Sequence, residues 1–246
     1  MFDSIPQHAA DYLSAYPYKI ELHAHTNPGS DCSRLAPKEI IRLLKAHNYD
    51  AVVITNHFFY DHGSYRDTED PVATYLHAFY ETKKEGAKHG IQVLLGAEYR
   101  FLESENDYLV YGVDEDLLRK TYHRSDLGLH AFYREFHSDQ LLIIQAHPFR
   151  YDRTVADLDV LDGLEIMNMH PDKNSRSDLA IQFAKDHKVP IVTIGTDMHH
   201  SHHVGVSALR TKILPQNEKQ LVDIIKSKDY IFEIGGHPVL PYFTFL

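Results

Sequence analysis

The sequence predicts an α/β fold, a largely parallel sheet flanked by helices, and three observations lead there. Short apolar runs alternate with longer amphipathic ones along most of the chain, as successive βα units require. Several short runs are unbroken in Val, Ile and Leu, such as Ala51-Val-Val-Ile-Thr55, which marks strands covered on both faces. At 246 residues and 43% hydrophobic, the chain can bury a full core and falls within range for a one-domain α/β barrel.

Strands are expected at 18–25, 51–55, 91–99, 108–113, 141–146, 163–167 and 190–195. The helix expected over 36–48 carries Ile40, Ile41, Leu43 and Leu44 on one side, with Pro37 in its first turn. Segments 72–89, 115–136, 175–187 and 216–228 read the same way, and 166–170 reads equally as strand or loop. No linker, repeat or low-complexity tract divides the chain, so residues 1–246 are read as a single domain. The apolar stretch 239–246 is read as a barrel plug or a contact surface.

Composition removes several classes of function. The net charge is −10, and the densest basic run is only Lys83-Lys84, so no basic stripe exists for long nucleic acid. A small anionic substrate stays open, because bound divalent cations offset negative charge locally. No apolar run approaches the roughly 20 residues that cross a bilayer, and the N-terminus lacks a secretory signal pattern. Cys32 is the single cysteine, so no intramolecular disulfide forms. The expectation is a cytoplasmic protein with no membrane partner.

Nineteen histidines stand out in a chain without tryptophan. His47, His89, His123, His130, His137 and His187 sit in polar, helix-like stretches without ligand spacing and read as surface or capping residues. Five others, with two carboxylates, keep a register. His23 with His25, His57, Glu98, His147 and Asp197 with His199 all fall at or just past the C-terminal end of an expected strand. That end is where barrels and open α/β sheets build active sites. His23 and His25, two apart on a strand, project from one face and can converge on a cation. Asp31, in the loop that follows, offers a third ligand.

Further blocks follow: Ile54-Thr-Asn-His57, Gly96-Ala-Glu98, Ala146-His-Pro148 and Gly195-Thr-Asp-Met-His199. With them the chain resembles the PHP (polymerase and histidinol phosphatase) superfamily of metal-dependent phosphoesterases. That family's HxH, TDH-like, AHP-like and SDAH-like blocks have counterparts here in order, and Glu98 matches its intervening glutamate. The resemblance implies a distorted (β/α)7 TIM-like barrel with its metal site at the C-terminal ends of the strands. It implies two or three divalent ions, Zn, Mn or Fe. His23, His25, Glu98 and Asp197 would hold the first, and Glu98 would share a second with His147. His57, His199 and Asp31 would hold a third. A carboxylate suits the bridging place because it offers two oxygens.

Three positions depart from the family pattern. Asn56 replaces the aspartate of the TDH block, where an amide can still orient a neighbour. Asp107 stands nearest to a further histidine ligand and reads as a ligand of the second ion or as a strand-start residue. Cys32 replaces the usual glycine, and its thiol either packs or ligates.

Beyond the ligands, Arg150 is a candidate for a substrate phosphate or a rim salt bridge. His170 is a candidate general acid or substrate contact. His200, His202, His203 and Arg34 lie in nearby loops, and Glu165 and Asn168 read as structural or functional. The function expected is hydrolysis of a small phosphorylated substrate by metal-activated water. Histidinol phosphate, a nucleotide and a short oligonucleotide all fit. A metal hydrolase of a non-phosphate bond is the second class, disfavoured because related barrels bridge with a lysine where Glu98 stands. A non-catalytic metal-binding module is the third.

Overall fold

Eleven strands join in one curled sheet in a computed structural model that describes residues 7–59, 65, 67–124, 126–151 and 153–241. They are β1 (Tyr18–Ala24), β2 (Ala51–Ile54), β3 (His57–Phe58), β4 (Gln92–Arg100), β5 (Asp107–Tyr111) and β6 (Leu142–Gln145). After them come β7 (Gly163–Asn168), β8 (Ile191–Gly195), β9 (Ser207–Thr211), β10 (Tyr230–Ile234) and β11 (His237–Val239). The order across the sheet is β11-β10-β9-β1-β2-β4-β5-β6-β7-β8, with β3 paired to β4. Nearly every residue of β1, β2, β4, β6, β7 and β8 is buried, as their unbroken apolar runs require.

The curl brings the chain just past β8 back against β1. Met198 N–H donates to the His23 carbonyl at 3.0 Å, and His25 N–H donates to the Met198 carbonyl at 2.9 Å. This parallel bridge between Ala24 and Met198 sets Asp197 and His199 beside His23 and His25. Strand alternation points the side chains of His23 and His25 the same way.

The helices are α1 (Gln7–Ala15), α2 (Pro37–Ala46), α3 (Pro71–His89), α4 (Glu115–Tyr122), α5 (Leu129–Phe136), α6 (Ser177–Asp186) and α7 (Glu218–Ser227). Their apolar stripes face the sheet: Ile40, Ile41 and Leu44 of α2, and Leu221, Val222 and Ile225 of α7, are fully buried. No helix among the described residues is long and apolar enough to cross a membrane.

Three features differ from the sequence expectation. β5 runs antiparallel to both β4 and β6, because a parallel return takes about a dozen residues or more and the connection 101–106 is far shorter. The single helix expected over 115–136 is two, α4 and α5. The carboxylate of Glu103 fills the space beside Gly128 and accepts the Leu129 N–H at 2.7 Å, capping the start of α5. Beyond 195 the chain adds an antiparallel extension, β9 to β11, to the other edge of β1. The tail expected to plug the barrel starts in β11, and its residues 242–246 lie outside the described residues.

Candidate metal centre

Four side chains from three parts of the sheet meet at the mouth of the curl. His23 Nε2 stands 3.4 Å from Glu98 Oε1 and 3.4 Å from Asp197 Oδ1. His25 Nε2 stands 3.3 Å from Glu98 Oε2 and 3.4 Å from Asp197 Oδ1. Asp197 Oδ1 thus stands 3.4 Å from both imidazole nitrogens, matching the edge of about 3.3–3.4 Å in a tetrahedron with arms of roughly 2.0–2.1 Å, while Glu98 meets the two nitrogens with different oxygens. His23, His25 and Glu98 are within 1% of full burial, yet His23 Nε2, His25 Nε2 and Glu98 Oε2 take part in no hydrogen bond. Buried polar atoms left in this state are costly in a protein interior, and a shared cation satisfies all of them at once. The residues therefore fit a divalent ion.

The surroundings fix which nitrogen each imidazole presents. Glu165, buried beneath the site, faces His23 Nδ1 at 2.9 Å, so that nitrogen holds a proton against the carboxylate and Nε2 is the one turned to the site. Its other oxygen accepts the His147 N–H at 3.0 Å and an Asn168 amide hydrogen at 2.9 Å. His25 Nδ1 lies 3.2 Å from Ser30 Oγ, which in turn donates to Asn56 Oδ1 at 3.2 Å. Asn56 also accepts the Thr26 N–H at 2.7 Å, so the amide in the aspartate's place holds the loop after β1.

Burial opposes ionisation of Glu98 and Asp197, but the surrounding imidazoles outweigh it and hold both carboxylates well below their usual range. They stay ionised, as ligands must. His147 and Asp197 both adopt left-handed backbone conformations, with φ of 31° and 57°. For non-glycine residues such strain is sustained where the fold needs a side chain aimed in one direction.

Two further groupings surround the first. His147 Nε2 lies 3.2 Å from Glu98 Oε1, so that carboxylate stands between His23 and His147, the geometry of a bridging ligand. His25, His57 and His199 bring ring nitrogens within 4.8 Å of one another, and His57 Nδ1 lies 2.8 Å from Glu98 Oε2.

The structure thus gathers His23, His25, His57, Glu98, His147, Asp197 and His199, and it places two other expected ligands apart from these groupings. Asp31 is exposed and belongs to none of these groupings; Cys32 lines the pocket but is likewise exposed and in none of them. Asp107 does reach the mouth, since β5 is reversed, but both its oxygens are engaged by guanidinium groups. Arg100 Nε and Nη2 donate to it at 2.7 and 3.0 Å, and Arg153 Nη2 donates at 3.1 Å. His147 Nε2 is 3.9 Å away.

Arg150 is likewise committed. Its Nη2 donates to Asp197 Oδ2 at 2.8 Å and to Asn168 Oδ1 at 2.7 Å. His170 lines the pocket and accepts the Asp172 N–H through Nδ1 at 3.2 Å, which leaves the proton on Nε2. Burial drives its pKa down to about 4, so it is neutral at pH 7. His200 lines the same pocket, whereas His202 and His203 turn to Asp172 at 3.2 and 3.1 Å. The sequence reading did not single out Arg100, Arg153 or Lys173 at the mouth; Arg100 follows Glu98 by two in β4 and so faces the same side.

No protein-family profile and no curated protein matches the sequence. Solved structures do. One is a two-domain protein from Bacteroides vulgatus ATCC 8482 described as containing a predicted PHP-like metal-dependent phosphoesterase. It has TM-score 0.58 at 15% identity, over 88% of this chain and 64% of that one. Another is PsfC from Pseudomonas syringae PB-5123, with TM-score 0.58 at 13% identity over 88% and 92% of the two chains. The chain spans 64% of the length of the two-domain protein. These likenesses establish a PHP-like, TIM-barrel-related fold for the chain.

Proposed function

We propose that the chain is a metal-dependent phosphoesterase acting on a small phosphorylated substrate. The observation that carries the reading is the meeting of His23, His25, Glu98 and Asp197, whose buried imidazole nitrogens and carboxylate oxygens approach to 3.3–3.4 Å, with His23, His25 and Asp197 forming one candidate ligand group. The sharing of Glu98 with His147 supports a second ion beside the first. Divalent ions held by these residues would supply Lewis acidity for hydrolysis of a phosphate ester.

The protein's own side chains handle the rest. Arg100, Arg150, Arg153 and Lys173 balance Glu98, Asp107, Asp172 and Asp197 at the mouth, so divalent ions bound there would turn it positive and favour entry of an anion. Arg150 is bound to a ligand carboxylate, so its first role is to position Asp197. Neutral His170 presents an Nε2–H, suited to donate a hydrogen bond to a phosphate oxygen rather than to deliver a proton at pH 7. Phosphate release from a panel of phosphomonoesters and nucleotides, by protein reconstituted with Zn, Mn or Fe, tests the reading. Turnover that His25→Ala removes supports it, and no turnover with any substrate and metal rejects it.

A further inference from the structure

We infer that Arg153, presented beside Arg100 on the buried carboxylate of Asp107, is an oxyanion-binding subsite of the pocket over the metal centre. Its place in substrate binding rests on the reading above, but its test does not depend on turnover.

Asp107 opens β5 as a buried residue and meets two guanidinium groups. Arg100, at the end of β4, satisfies it alone: Nε donates to Oδ1 at 2.7 Å and Nη2 to Oδ2 at 3.0 Å. Such a fork is already a complete ion pair. Arg153 adds a second cation through one bond, from Nη2 to Oδ2 at 3.1 Å. Its side chain is 14% exposed, its Nε is enclosed without a partner, and its Nη1 bonds to no described residue. The other carboxylate in reach, Glu105, is 68% exposed and stands 3.4 Å from Arg100, so water weakens its pull. One buried carboxylate thus faces two cations. A poorly hydrated guanidinium with unused donors is costly unless an anion meets it.

The backbone brings this surplus charge to the pocket. Arg150 N–H donates to the His147 carbonyl at 3.0 Å, and Arg153 N–H donates to the Arg150 carbonyl at 2.9 Å. These successive three-residue turns carry His147, Arg150 and Arg153 to one cavity. Arg150 is taken up by Asn168, Ser175 and Asp197, which leaves Arg153 as the arginine of this turn with donors to spare. The Phe59 ring lies 5.6 Å from the Arg100 guanidinium and holds it from a second side. Asp107 Oδ2 is 3.9 Å from His147 Nε2, so the pair adjoins the part of the metal centre built by His147 and Glu98. The cavity measures about 390 Å³, room for a small phosphorylated molecule. A phosphate or carboxylate matches a guanidinium edge, and two sources can supply it: the phosphate being hydrolysed, or a second acidic group on the same substrate.

Two inert probes separate these sources: methylphosphonate, with a single oxyanion group, and phosphonopropionate, which adds a carboxylate. Each is titrated calorimetrically into the full chain loaded with Zn, and bound Zn is measured in every sample. Arg153→Ala is expected to keep its Zn and to lose about 10–100-fold in affinity, the scale of a charged hydrogen-bonded pair. Loss with both probes assigns Arg153 to the reacting phosphate; loss with phosphonopropionate alone assigns it to a second acidic group. Arg153→Lys, which keeps a cation beside Asp107, is expected to fall between wild type and Arg153→Ala, and it decides the matter if the alanine chain does not fold. Unchanged affinity for both probes in the folded variants, or no binding of either probe to wild type, overturns the subsite. Binding that depends on Arg153 in a protein that hydrolyses no phosphate ester would keep the subsite and reject the esterase reading.

Discussion

Glu165 lies 2.9 Å from Nδ1 of His23 and thereby decides which nitrogen His23 turns toward Glu98 and Asp197. The same carboxylate accepts the His147 N–H, so one buried group orients residues on both sides of the bridging Glu98. Glu165→Gln places an amide N–H₂ against donors from His147 or Asn168. Metal affinity is expected to fall about 10–100-fold, the usual loss for a residue that orients a ligand. Titration calorimetry with Zn checks this; an unchanged dissociation constant would show that Glu165 does not orient the site.

Arg150 holds Asp197 Oδ2 at 2.8 Å. Arg150→Ala is therefore expected to weaken metal binding as well as turnover, and excess metal should restore part of the lost kcat. Arg150→Lys is expected to rescue in part, because the bonds to Asn168 and Asp197 both leave the single nitrogen Nη2 and an ammonium offers three donors from one nitrogen. Steady-state kinetics across a metal titration separates this from a pure substrate contact, for which added metal changes nothing.

Glu21 lies beneath the site, two residues before His23, and accepts hydrogen bonds from the His23 and Thr196 N–H groups. Burial outweighs these bonds and raises its pKa from an ordinary 4.5 to about 7. The folded state thus holds this proton more tightly than the unfolded chain. The associated stability is fully present below pH 4.5, is lost as pH rises toward about 7, and stays lost above it. The loss is on the order of 3 kcal/mol. Urea unfolding of metal-free protein between pH 4.5 and 7.5 should show it, and Glu21→Gln should flatten that slope. Parallel slopes in the two proteins would contradict it.

Much of this site could be read from the sequence because metal ligands at strand ends are local signals. His23-Ala-His25 needs only the two-residue period of a strand, and Glu98, His147 and Asp197 each follow an unbroken apolar run. What could not be read depends on backbone paths between distant residues. The path of the loop after β1 is held by Ser30 and Ser33, whose partners His57 and His199 come from elsewhere in the chain. Asp107 carries the right chemistry, but the arginines that engage it arrive from β4 and from the loop after β6. The same applies to β9 and β10. Ser207-Ala-Leu-Arg-Thr211 is too short and mixed to announce a strand, and its partner Glu233 comes from β10.

Glu233 joins that extension to the barrel. It meets Lys19 of β1 at 2.8 Å and Arg210 of β9 at 2.6 Å, with its own side chain 6% exposed. Removing it as Glu233→Ala leaves two cations facing each other in a poorly solvated seam. The expected loss is about 3 kcal/mol in urea unfolding. A loss under roughly 1 kcal/mol, the scale of an exposed pair, would mean the seam is wetter than its burial indicates.

The central claim is that His23, His25, Glu98 and Asp197 together hold a divalent cation. Anomalous X-ray scattering from crystals grown with Zn tests it most directly. The account predicts a peak equidistant from His23 Nε2, His25 Nε2 and the facing oxygens of Glu98 and Asp197, absent in His25→Ala. A fully loaded crystal with no peak among these four residues would contradict it.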